Sequence, residues 1–171
     1  MPLYLQFQHD TATIQQELFF GQPNFDLNLE LNKQIFFADF VARTQFEVAF
    51  PATLTPAQFV DGMIANTGVA FTTAERDVLI SYFFGASTSA DQTSRARVLR
   101  QVTENTTFAA AEFNRTFVAM EYFGYLRRDP DASGFNFWLN KLNSFNGNFV
   151  EADMVKSFIT SIEYRQRFGA N

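Results

Sequence analysis

Apolar side chains return every third or fourth residue along nearly the whole of this 171-residue chain, a period that only helices bury on one face. Between Asn28 and Phe46 the set Leu29, Leu31, Ile35, Phe36, Phe40 and Val41 keeps that period, with Glu30, Lys33, Asp39 and Arg43 interleaved. Pro51 halts any continuation. Thr55 then offers an N-cap and Pro56 suits a first turn, so Phe59, Val60, Met63 and Ile64 form a stripe that ends at Gly68. Thr72 or Thr73 opens a helix carrying Val78, Leu79, Tyr82 and Phe83, closed by Gly85. Ala86–Gln92 is small and polar and reads as a linker or mobile loop.

Ser94 opens the following helix, through Val98, Leu99 and Val102. From Ala109 to Leu126, Phe113, Phe117, Met120 and Phe123 mark one face. Asp131 or Ser133 caps a helix with Phe137, Trp138, Leu139 and Leu142, which Asn146-Gly147 ends. Met154, Val155, Phe158, Ile159 and Ile162 carry the last helix, which runs out near Phe168. No stretch alternates with a period of two between turn signals. The expected fold is all-α, a multi-helix orthogonal bundle of about seven or eight helices. Its expected parts are an N-terminal arm with a short helix (1–27), a helical lobe (28–108) and a second lobe (109–171).

A degenerate internal repeat runs through that pattern. With Phe46, Phe108 and Tyr164 in register, Phe36, Val98 and Met154 lie ten residues upstream, and Phe40, Val102 and Phe158 lie six upstream. Phe59, Met63 and Gly68 share their offsets with Trp138, Leu142 and Gly147. Unequal spacing between the copies points to duplication with insertions rather than to a regular solenoid.

Composition narrows the function. A net charge of -5 disfavours nucleic acid and anionic lipid, which need clustered cations. No apolar run approaches the ~20 residues that span a bilayer, so no membrane insertion is expected. Met1–Leu5 does not begin a signal peptide, and an export signal would lie outside this chain. With no cysteine and a single histidine, His9 in a frayed Gln6–Thr13 segment, thiol chemistry, a serine triad and histidine metal sites lack their parts. The glycines stand singly and form no phosphate loop. The 23 phenylalanines read first as core; those left outside it would form a docking surface.

Two places invite chemistry. Glu121 shares a helical face with Val118 and Tyr125, where burial would raise its pKa unless Tyr122, Tyr125 or an arginine satisfies it. The loop Asp129-Pro130-Asp131-Ala132-Ser133-Gly134 places oxygens at the first, third and fifth positions and glycine at the sixth, like the opening of an EF-hand. Position nine is Phe137 and position twelve is Asn140, neither a calcium ligand of that motif. Helix capping by Asp131 or Ser133, with Gly134 relieving crowding, explains the same residues. Calcium held by Asp129, Asp131 and Ser133 stays open beside it.

The stretch Tyr122–Leu142 also resembles domain of unknown function 4214, whose pattern of Arg, Pro-Asp, Gly and Trp is met by Arg128, Pro130, Asp131, Gly134 and Trp138. Ser161-Ile162-Glu163-Tyr164 is similar to that family's closing signature, and the resemblance covers about Phe113–Phe168. It implies a helical domain in the C-terminal region of a large secreted protein of acidobacterial type. The family is in turn similar to phycobilisome linker domains, which assemble other proteins. Neither likeness implies an activity, a cofactor or catalytic residues. In this motif Arg128 is expected to pair with Asp131 or to stack on Trp138. The function expected is therefore a non-enzymatic extracellular or cell-surface interaction module, with a protein partner or a second copy of itself. A calcium-binding surface module and a carbohydrate-binding domain using Trp138 and Glu121 are the alternatives.

Overall fold

Side chains that the chain supplies itself fix most of its helix starts. Thr55 and Thr72 each close a capping box, with Gln58 and Glu75, and Pro56 fills the first position after Thr55. Asp91, Asp131 and Ser161 accept the backbone N–H three residues on, from Ser94, Gly134 and Tyr164. Ser94, expected as a cap, is thus the capped residue; Asp91 lies one turn earlier and carries the stronger acceptor.

The fold is that of a computed structural model, which describes residues 2–169. Among these residues ten α-helices and one π-helical turn occur, and no strand. The helices are α1 (Tyr4–Gln15), α2 (Phe25–Val41), α3 (Thr44–Ala49), α4 (Pro56–Thr67), α5 (Thr73–Ser81), α6 (Gln92–Thr103), α7 (Thr106–Glu121), α8 (Ala132–Ser144), α9 (Met154–Ile159) and α10 (Ile162–Phe168). The π turn is Tyr122–Leu126, directly after α7. The all-α class is as the period requires. The helix number exceeds the expected seven or eight because apolar runs expected as single helices break, at Ala42–Arg43 and at Thr160–Ser161. Phe46, Phe108 and Tyr164 each become the third residue of the helix after a break, so the register of the repeat has a local structural counterpart. No described helix is long and apolar enough to cross a membrane.

The residues gather into two compact units, 9–110 and 2–8 with 111–169. In the first, Phe46, Phe50, Phe59 and Phe83 meet edge to face or tilted, with centroids 5.1–6.2 Å apart, and Val41, Val60, Leu79, Val98 and Val102 close around them. In the second, Val118, Tyr122, Phe123, Leu126, Leu142, Met154 and Phe158 form the core. The N-terminal segment is not frayed: Tyr4 and Phe7 pack on Phe123, 5.8 and 4.9 Å between ring centroids. Ala86–Gln92 is not a free linker either. Ser89 is fully buried, its N–H donates to the Leu54 carbonyl at 2.7 Å, and Arg95 donates to its carbonyl and its hydroxyl.

Candidate functional site

The motif residues converge where the π turn ends. Arg127, at φ 48°, reverses the chain after Leu126 and brings Arg128 to the first turn of α10. There Arg128 Nε and Nη2 donate to the two carboxylate oxygens of Glu163, at 2.7 and 3.0 Å. Its Nη1 donates to the Asp129 carbonyl at 2.8 Å and lies 3.7 Å from Asp131, while the guanidinium sits 5.1 Å from the Tyr122 ring centroid. The expected pairing with Asp131 is thus the minor contact, and the stacking on Trp138 does not occur. Glu163 is the principal partner because its planar carboxylate meets the guanidinium in a two-bond fork. The Arg128 guanidinium holds the Glu163 carboxyl below the usual carboxylate range.

Trp138 lies one helix turn beyond Gly134 on α8, half-buried against Phe158 and Phe137, with the Lys141 ammonium 5.1 Å from its ring. Gly134 is demanded by a close approach, since a Cβ there would collide with the Tyr122 hydroxyl and crowd the Asp131 carboxylate. A cavity of about 200 Å³ is lined by Tyr122, Leu126, Arg128, Trp138, Phe158 and Ser161. Glu121 is not among the residues that line this cavity.

One carboxylate oxygen of each of the two aspartates singled out as calcium ligands makes hydrogen bonds within the fold. Asp131 Oδ1 accepts from Gly134 N–H at 2.8 Å and from Ser133 Oγ at 2.6 Å, and these bonds hold its carboxyl low. Asp129 Oδ1 accepts from Tyr4 N–H at 2.6 Å. Asp131 is the cap that the sequence offered as one of two choices; Ser133 serves it as a donor. Pro130 lies between the two acids and is half-buried.

Glu121 is buried at the last position of α7, and its Oε2 has no hydrogen-bond partner. Neither a tyrosine nor an arginine satisfies that oxygen, contrary to the expectation. Burial alone pushes its pKa up to about 7.

Two features of the unit 9–110 were missed in the sequence. Arg95 is 1% exposed, with Nη1 on Ser89, Nη2 on the Phe50 carbonyl, and its guanidinium 4.6 Å from the Phe59 ring centroid and 5.3 Å from that of Phe46. Its place in the stripe 95, 98, 99, 102 was the available signal, because it shares a face with three buried aliphatics. The second is a Phe-Phe-Gly turn that occurs twice, at 19–21 and 83–85. In both, glycine takes a positive φ and the phenylalanine before it stands in solvent: Phe20 is 100% and Phe84 86% exposed. A groove of about 620 Å³ runs between α2 and α6, with Phe37 and Ala96 against Glu30, Gln34, Arg97 and Arg100.

The helices of the described residues define a class only, that of an all-α module. The family described as "Domain of unknown function (DUF4214)" matches residues 90–168. That match takes in α6 and all of α7, beyond the stretch from Phe113 that carried the resemblance. No curated protein and no solved structure matches the chain.

Proposed function

We propose that this chain is a non-enzymatic interaction and assembly module that works outside the cell or at its surface. The observation that carries this reading is the fate of the phenylalanines. Eight of the 23 (Phe19, Phe20, Phe84, Phe113, Phe137, Phe145, Phe149 and Phe168) are exposed, so the cores do not absorb the surplus. On α2, Leu27, Leu31 and Ile35 are also exposed, at the i, i+4, i+8 spacing of one helical stripe. Water-facing apolar rows of this kind are the usual mark of a surface that another protein covers. The extracellular setting rests on the family resemblance, and the assembly role on its likeness to linker domains.

Small-angle X-ray scattering across a dilution series tests the self-associating form of this reading. The scattering mass per particle should rise with concentration and fall back reversibly on dilution. A mass fixed at one chain throughout the series contradicts it.

A further inference from the structure

We infer that the groove between α2 and α6 is a small-molecule site for a carboxylate with a hydrocarbon body, of the fatty-acid kind, whose carboxylate is held by Arg97. The site stands independently of the assembly reading.

Both helices belong to the unit 9–110, and the groove between them has two helical rows for walls. Glu30, Gln34 and Ala38 follow one another at i, i+4, i+8 on α2, and Thr93, Arg97 and Gln101 do the same on α6. Each row is about 12 Å long at the rise of a helix. Phe37 and Ala96 add apolar surface to the lining. The volume of about 620 Å³ lies within the range of about 300–1,000 Å³ that small-molecule sites occupy.

Charge selects the ligand. Arg100 donates to both carboxylate oxygens of Glu30 and, at 3.1 Å, to Glu104, which also lies 3.9 Å from Lys33. Two cations and two carboxylates cancel there. Arg97 is left over: it makes no ion pair and no side-chain hydrogen bond among the described residues, and its guanidinium lies over the Tyr82 ring, 4.0 Å from the centroid. Stacking engages the face of a guanidinium and leaves its in-plane N–H groups to a ligand. One turn to either side, the Thr93 hydroxyl and the Gln101 amide also lack hydrogen-bond partners among the described residues. The lining thus offers one uncompensated positive charge, neutral donors beside it and an apolar wall. A carboxylate brings one negative charge and two oxygens that match the guanidinium fork. A phosphate monoester brings nearly two charges, more than one guanidinium offsets. In a chain of net charge -5 the attraction comes from this local cation and not from a general positive field.

Titrating the full chain with octanoate, followed by two-dimensional nitrogen–proton NMR, tests the site. Octanoate should bind saturably, one per chain, and move the signals of residues 30–38 and 92–101. Octanamide, which keeps the body without the charge, and acetate, which keeps the charge without the body, should each bind at least about tenfold more weakly. Arg97→Gln should weaken octanoate by at least about tenfold, and Ala38→Trp, which fills the groove from an exposed position, should abolish binding. Arg165→Gln, at an exposed position on α10, should bind like the wild type. Melting temperatures of the three variants should match the wild type's. Failure of octanoate to saturate, signal changes centred outside the two helices, or octanamide binding as well as octanoate overturns the proposal. Wild-type binding in Arg97→Gln or Ala38→Trp, or equal loss in Arg165→Gln, overturns it too.

Discussion

Burial of single polar side chains sets the sharpest residue-scale expectations. Glu121 is neutral in the folded unit below about pH 7, while in an unfolded chain it ionises above its ordinary value of 4.5. Below 4.5 both states hold the proton and the full stability is present. Between 4.5 and about 7 the unfolded state alone gives up its proton, so stability falls as pH rises, and the loss is complete above 7. The whole effect is on the order of 3 kcal/mol. Urea unfolding of Glu121→Gln should therefore show a flatter pH profile and greater stability than the wild type at pH ~8. An unchanged profile would mean that water reaches the carboxylate.

Arg95 makes the opposite case, a buried cation with carbonyl and aromatic partners. Burial lowers its pKa without discharging it, since an arginine starts far above neutrality. Arg95→Lys keeps the charge but loses the planar fork that reaches both Ser89 and Phe50, and should cost ~2–3 kcal/mol in denaturant melts. A loss below about 0.5 kcal/mol, the range of neutral surface changes, would contradict that role. At Phe84, Asn accepts a left-handed backbone, so Phe84→Asn should raise stability by ~1 kcal/mol in denaturant melts.

At the scale of elements, the caps and the motif loop act as one fastening. Gly134→Ala forces a methyl toward the buried Tyr122 and should cost ~1–3 kcal/mol, the usual range for overpacking. Asp131→Ala removes the α8 cap and should cost ~1 kcal/mol, and added calcium should leave the wild-type melting temperature unchanged. A calcium-dependent rise would show that the loop is a metal site. Arg128 and Glu163 are each about a third exposed, so a double-mutant cycle should find a coupling of only ~1 kcal/mol.

Most of these elements were legible in the sequence, and the reasons differ. Thr55, Thr72 and Asp131 announce helix starts because a cap is a local hydrogen bond, decided within four residues. The breaks at Ala42–Arg43 and Thr160–Ser161 were hidden because the apolar period continues across them, from Val41 to Phe46 and from Phe158 to Ile162. The Arg128–Glu163 fork joins residues 35 apart, and nothing local chooses Glu163 over the nearer Asp131. Ala86–Gln92 misled for the same reason: small polar residues look unattached until Arg95 is seen to bond Ser89.

For the whole molecule, two cores of modest size leave a large share of apolar side chains outside. Conventional helices with few hydrophobics exposed would need no partner, whereas Phe20, Phe84 and the α2 stripe lie in water. The proposed association through them accounts for 23 phenylalanines in a chain that folds into small units. With a net charge of -5 on each copy, the proposed association should weaken at low ionic strength.

Photo-crosslinking puts the proposed association on trial. With benzoylphenylalanine in place of the exposed Phe84, irradiation at high concentration should join two copies of the chain covalently. Links confined to one chain at every concentration would contradict association through the exposed phenylalanines.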